Sequence, residues 1–240
     1  MTFDASDIAA DLRTLGNILF REQICVDVQV LEDAARICAQ SDKDEWQYHF
    51  TDLVLDVGGT GVKCYPANLR EIKCRLDVKV GGKCVAGSAA GDPLFNTMIN
   101  IILKSFDHKN GITYSQTWHL DRQPDRATPH CAHPRYHINF GGRYLNGLLN
   151  GSPGPQYTNL LLIDSPRMAH APLDGILAVD FILSNLAGPK WKILRTDPDY
   201  VRVVSAAQER LWLPYVNALA AHMNKTQSAW NAIEVWPQLH

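Results

Sequence analysis

The chain has 240 residues, enough to bury a substantial core, and its 46% hydrophobic and 20% charged content is that of an ordinary globular protein, far from disorder. A formal net charge of −2 supplies no general attraction for nucleic acid, so only a local basic patch could serve that partner. The most apolar segment, Ile176 to Leu186, contains Asp180 and is too short to cross a bilayer; MTFDASDIAADLRTLG at the N-terminus has neither the basic start nor the apolar run of a secretory signal.

Six cysteines (Cys25, Cys38, Cys64, Cys74, Cys84 and Cys131) are scattered without a CxxC pair. In a chain of this size they suit reduced core thiols and a cytoplasmic location better than a disulfide framework.

Asp4 or Ser6 can cap a first helix, because Ile8, Leu12, Leu15 and Leu19 fall on one face at helical spacing. A second helical pattern runs from about Leu31 to Cys38, with Ala34, Ala35 and Cys38 turned toward the core. From Tyr48 the period changes to two, and Gly, Pro and Asn punctuate short runs, as in an antiparallel sheet. Phe50 to Val57, Arg70 to Val80, Gly111 to Arg122, Arg135 to Gly141 and Asn159 to Asp164 are the strand candidates. LFNTMINIILKS, from Leu94 to Ser105, fits an Ile-rich strand or a short helix and is read as a strand. Asn146 to Gln156, NGLLNGSPGPQ, is the most turn-rich stretch.

After Pro166 the helical period returns. Pro172 suits a first helical turn, Leu173, Ile176, Leu177, Asp180, Leu183 and Leu186 follow, and Gly188-Pro189 should stop that helix. Asp197 followed by Pro198 is a strong start signal for a last helix reaching about Met223, which Pro214 should kink or interrupt. Helices, then a meander, then two helices, without alternating strand–helix units, imply an α+β fold. The expected organisation is one domain over residues 1–240: a helical segment 1–45, a mainly β segment 46–165 and a helical segment 166–240, with the two C-terminal helices packed on one face of a central antiparallel meander.

The phrase LVLDVGGTGVK, Leu53 to Lys63, resembles the phosphate-binding hairpin of the sugar-kinase and actin-like ATPase superfamily, whose Asp-x-Gly-Gly-Thr turn holds nucleotide phosphates on backbone amides. The likeness covers about a dozen residues, without that family's other nucleotide motifs, and the residues alone describe a hairpin in which Gly58 and Gly59 supply positive φ.

The chemistry-bearing stretch is TWHLDRQPDRATPHCAHPRYHINFGG, Thr117 to Gly142, with four of the nine histidines: His119, His130, His133 and His137. Alternation puts Thr113, Ser115, Thr117, His119 and Asp121 on one face of their strand, and His137 and Asn139 opposite Tyr136, Ile138 and Phe140 on theirs. If these strands pair antiparallel around the loop Gln123 to Pro134, His119 and Asp121 approach His137 and Asn139 on one wet face. His130, Cys131 and His133 then lie on the loop above.

Two chemistries fit. His119, His130, His133 and His137 could bind Zn²⁺ or another divalent transition metal, with Asp121 as ligand or as the acceptor that fixes a tautomer. Without metal, His119 and His137 could divide general-acid and general-base work on a phosphodiester, with Asp121 beside them and Arg122, Arg135, Arg143 and Arg167 holding the anion. The spacing is no recognised metal signature, and bracing of a proline-rich loop is the third use of such histidines.

Cys131 between His130 and His133 could be an activated thiol. The order of helix, meander, His133-Pro134 and C-terminal helices resembles a ubiquitin-conjugating enzyme, which implies a catalytic cysteine after the His-Pro element; here Cys131 precedes it and no cysteine follows. LLIDSPRMAHAPLDGI carries Ser165, Arg167, His170 and Asp174 at a strand-to-helix junction, an anion-site geometry or an ordinary helix start. The sequence thus leads to a hydrolase directed at a phosphodiester, with a non-catalytic interaction module in a larger protein assembly as the alternative and a ubiquitin-conjugating-like domain as the minor one.

Overall fold

The computed structural model describes residues 3–42, 44–58, 69, 71–84, 91–123, 133–141, 167–227, 230, 232–237 and 239. The expected strand Asn159 to Asp164, the turn-rich stretch Asn146 to Gln156, Gly59 and Cys64 lie outside them.

Helix α1 (Ala5–Arg21) opens with a capping box: Asp4 accepts from the backbone amides of Ser6 and Asp7, and Asp7 accepts from the Asp4 amide. It buries Ile8, Leu12, Leu15 and Leu19, and α2 (Gln29–Ala39) packs on it with Leu31, Ala34, Ala35 and Cys38 buried.

Among the described residues six strands follow, β1 (Glu45–Asp56), β2 (Lys73–Lys83), β3 (Leu94–Asp107), β4 (Ile112–Arg122), β5 (Tyr136–Phe140) and β6 (Met168–Ala169). They form one antiparallel meander in chain order. In β1 a bulge between Phe50 and Leu53 places Thr51 and Asp52 both in solvent. That extra residue keeps Leu53 and Leu55 on the same inner face as Trp46, Tyr48 and Phe50. Asp52 takes a positive φ of 62° there, and its amide donates to Asp77. Gly58, φ 53°, supplies the left-handed residue expected after β1.

After the sheet come α3 (Gly175–Leu186), the short α4 (Gly188–Leu194), the long α5 (Pro198–Met223) and the single turn α6 (Ala232–Val235). Helix α3 starts later than Pro172: buried Asp174 is its N-cap, accepting from the Leu177 amide at 2.9 Å, while the Gly175 amide donates to Tyr48 Oη at 2.8 Å. A Cβ on Gly175 would meet the Phe50 ring at 2.9 Å, so glycine lets the helix start sit directly on the sheet. Gly188-Pro189 does end α3, but it also begins α4, since proline is well placed in a first helical turn.

Helix α5 begins where expected, with Asp197 accepting from the Asp199 and Tyr200 amides. Pro214 does not interrupt it; the residue is buried beside Leu211, Tyr215 and Ala218, and that packing outweighs the lost backbone bond. Helices α1, α3 and α5 meet around a buried ion pair, Arg210 Nη1 to Asp11 Oδ2 at 2.8 Å, to which Arg202 adds a second 2.8 Å bond from the rim.

The described cysteines are free thiols, as expected: Cys25, Cys38 and Cys74 are buried, and Cys84 is partly so. Burial pushes the Cys38 and Cys74 thiols up to about 12, which makes them poor nucleophiles. Among the described residues, no helix is long and apolar enough to cross a membrane.

Candidate functional site

Strand pairing does what the alternation predicted. In the β4–β5 register His119 stands opposite Asn139 and Asp121 opposite His137; in the β3–β4 register Asn100 stands opposite His119. These residues occupy the sheet face turned away from the inner row Leu120, Tyr136 and Ile138. The expected wet face is not wet here. His119 is 6% exposed and His137 2%, and the opening to solvent lies at Asp121, whose side chain is 32% exposed.

Asp121 sits between the two imidazoles. His119 Nε2 meets its Oδ2 at 2.9 Å, and His137 Nε2 approaches its Oδ1 at 2.7 Å. Asp121 Oδ1 has no hydrogen bond of accepted geometry among the described residues, so the His137 approach is a close polar contact. On the far side of each ring stands another acceptor: the Asn100 side-chain amide oxygen at 2.6 Å from His119 Nδ1, and the Pro134 carbonyl at 3.2 Å from His137 Nδ1. Burial alone would raise the Asp121 carboxyl, but the His119 hydrogen bond and the contact and charge of His137 outweigh it and hold the group well below the usual carboxylate range.

His133, just before β5, packs against His137 with ring centroids 4.3 Å apart and planes tilted by 54°. Its Nδ1 is buried without a hydrogen-bond partner among the described residues. Burial, then the charges of His137 and Arg167, lower its pKa to about 4 against the opposing pull of Asp121, so its ring is neutral near pH 7.

Of the arginines expected to hold an anion, Arg122 and Arg135 are engaged away from this face. Arg122 follows the inner row of β4, where it is 8% exposed and pairs with Asp92 at 3.0 Å; Arg135 lies 3.8 Å from the same carboxylate. Tyr136 donates its hydroxyl to Asp92 as well, which completes a buried polar knot on the opposite side of the sheet. Arg167 acts electrostatically on His133. His130, Cys131 and Arg143 lie outside the described residues, as does Ser165.

His170 is half-buried, its Nδ1 on the Ala171 carbonyl at 2.7 Å and its ring edge-on to Phe181; burial lowers its pKa. Asp174 is committed to capping α3, 3.9 Å from Arg210, rather than to His170. Among the described residues, no group of three His, Cys, Asp or Glu side chains is placed to hold a metal ion.

Comparison with family models, with curated proteins and with solved structures finds no match to the chain.

Asn100 and Asp92 are the members sequence reasoning did not find. Asn100 interrupts the Ile-rich run of β3, and a polar residue flanked by Ile99 and Ile101 was the available signal. Its meaning depends on knowing that β3 neighbours β4.

Proposed function

We propose that the chain is a non-catalytic interaction module working within a larger protein assembly, and that His119, Asp121 and His137 brace the 133–141 segment against the sheet. The observation that carries this reading is that three of the four ring nitrogens of the two buried histidines are hydrogen-bonded to protein acceptors and the fourth, His137 Nε2, lies 2.7 Å from Asp121 Oδ1. A general base needs a nitrogen facing the proton it removes, and metal ligands need nitrogens aimed at a common point. Here the two Nε2 atoms address different oxygens of one carboxylate.

The second reading, a histidine-dependent hydrolase directed at a phosphodiester, draws on one specific observation: Asp121 is part-open to solvent between two imidazoles, with His133 and Arg167 close by. It requires His119 or His137 to exchange a protein acceptor for substrate. Zn²⁺ or another divalent ion would similarly need rings turned from their present partners.

The discriminating experiment compares untagged wild type with His119→Ala and His137→Ala for cleavage of RNA and DNA, with and without added divalent ions, and for bound metal. The module reading expects no cleavage and no near-stoichiometric metal that either substitution removes. Activity or metal lost on His119→Ala or His137→Ala, with the fold intact by circular dichroism, would establish the hydrolase reading.

A further inference from the structure

The solvent face of α5 changes character along its length. Arg202, Ser205 and Glu209 occupy the outward positions of the first half, whereas Leu213, Val216, Ala220 and Met223 occupy them in the second. Leu213, Val216 and Met223 are 47%, 54% and 66% exposed. Their spacing of three, four and three residues is that of a coiled-coil seam, and it runs about 15 Å along the helix. The opposite face of α5 is already buried through Val204, Leu211, Tyr215 and Ala218, so the seam is extra apolar surface rather than the helix's packing face.

We infer that this seam pairs with the same seam of a second copy of the chain, in antiparallel orientation about a two-fold axis near Ala218. That axis sets Leu213 against the second copy's Met223 and Val216 against its Ala220, so apolar meets apolar at every level. Charge decides the direction. Glu209 lies one turn before the seam and Lys225 just after it; both are exposed, and neither has an ion-pair partner among the described residues. Antiparallel pairing brings each Glu209 toward the other copy's Lys225, whereas parallel pairing sets like charges side by side.

Four residues per copy bury less than the roughly 800 Å² per partner of a standard interface, so the dimer is weak and reversible. The inference does not depend on how the histidine cluster is read and holds equally for a module or an enzyme.

Sedimentation equilibrium of the whole chain over roughly 10–300 μM, the range suited to a small interface, tests it on wild type, Val216→Glu, Glu209→Lys, Lys225→Glu and the Glu209→Lys/Lys225→Glu double variant. All positions are exposed, and unchanged thermal melting confirms the fold. Wild type is expected to dimerise, Val216→Glu to weaken the dimer at least tenfold, each single charge reversal to weaken it about two- to fivefold, and the double reversal to recover wild-type association. A monomeric wild type at every concentration, a dimer indifferent to Val216→Glu, or charge reversals that add instead of compensating would overturn the inference.

Discussion

Replacing His133 with glutamine should flatten the acid side of the stability curve. In the unfolded chain its imidazole titrates near 6.5, while in the fold burial and the charges of His137 and Arg167 hold it at about 4. Between those values the unfolded state binds more protons, so the histidine's contribution is complete above about pH 6.5 and is lost as pH falls toward 4. At 1.36 kcal/mol per unit the interval would amount to about 3.4 kcal/mol; part-exposure of the ring and solvent screening reduce this to about 1–2 kcal/mol. Urea unfolding of wild type and His133→Gln at about pH 7.5 and pH 4.5 should therefore show wild type losing that much more stability than the variant across the interval. Proton NMR should place the His133 titration well below those of solvent-exposed histidines. An imidazole titrating at or above 6.5, or equal pH slopes for the two proteins, would refute the assignment of a neutral ring packed against His137.

Asp11→Ala should cost about 3–5 kcal/mol in urea unfolding, because it leaves Arg210, whose side chain is 5% exposed, with the distant Asp174 carboxylate at 3.9 Å as its remaining ion-pair partner among the described residues. The loss should be largely recovered in the Asp11→Leu/Arg210→Met variant, which removes both charges. Gly175→Ala should cost about 1–3 kcal/mol, since the added methyl falls 2.9 Å from the Phe50 ring where α3 begins; thermal denaturation equal to wild type would show that the helix start shifts freely.

Local chemistry made much of the fold legible before the structure. Asp4 and Asp197 each place a carboxylate where free amides need one, and alternation in β4 and β5 sorted His119, Asp121, His137 and Asn139 onto one face. What escaped was decided by neighbours distant in sequence. Pro214 reads as a breaker until the core around it is known, and Gly188-Pro189 reads as a stop although the chain restarts a helix there. Arg122 is next to Asp121 in sequence but points to the other face, where Asp92, thirty residues earlier, claims it. Periodicity predicted which face the histidines share; it carried no information on whether that face is open, which is why a wet site was expected where buried rings stand.

The central claim, that the imidazole–carboxylate cluster is a brace, is tested most directly by a double-mutant cycle on His137 and Asp121. His137→Gln, Asp121→Asn and the double variant would be compared with wild type by urea unfolding near pH 7. A brace predicts each single change to destabilise by about 2–3 kcal/mol, with a coupling of about 1.5–3 kcal/mol between the two positions, as for a charge-assisted contact next to a buried ring. Single variants as stable as wild type or more so, with coupling below about 0.5 kcal/mol, would contradict it, since groups held for chemistry rather than for folding commonly reduce stability.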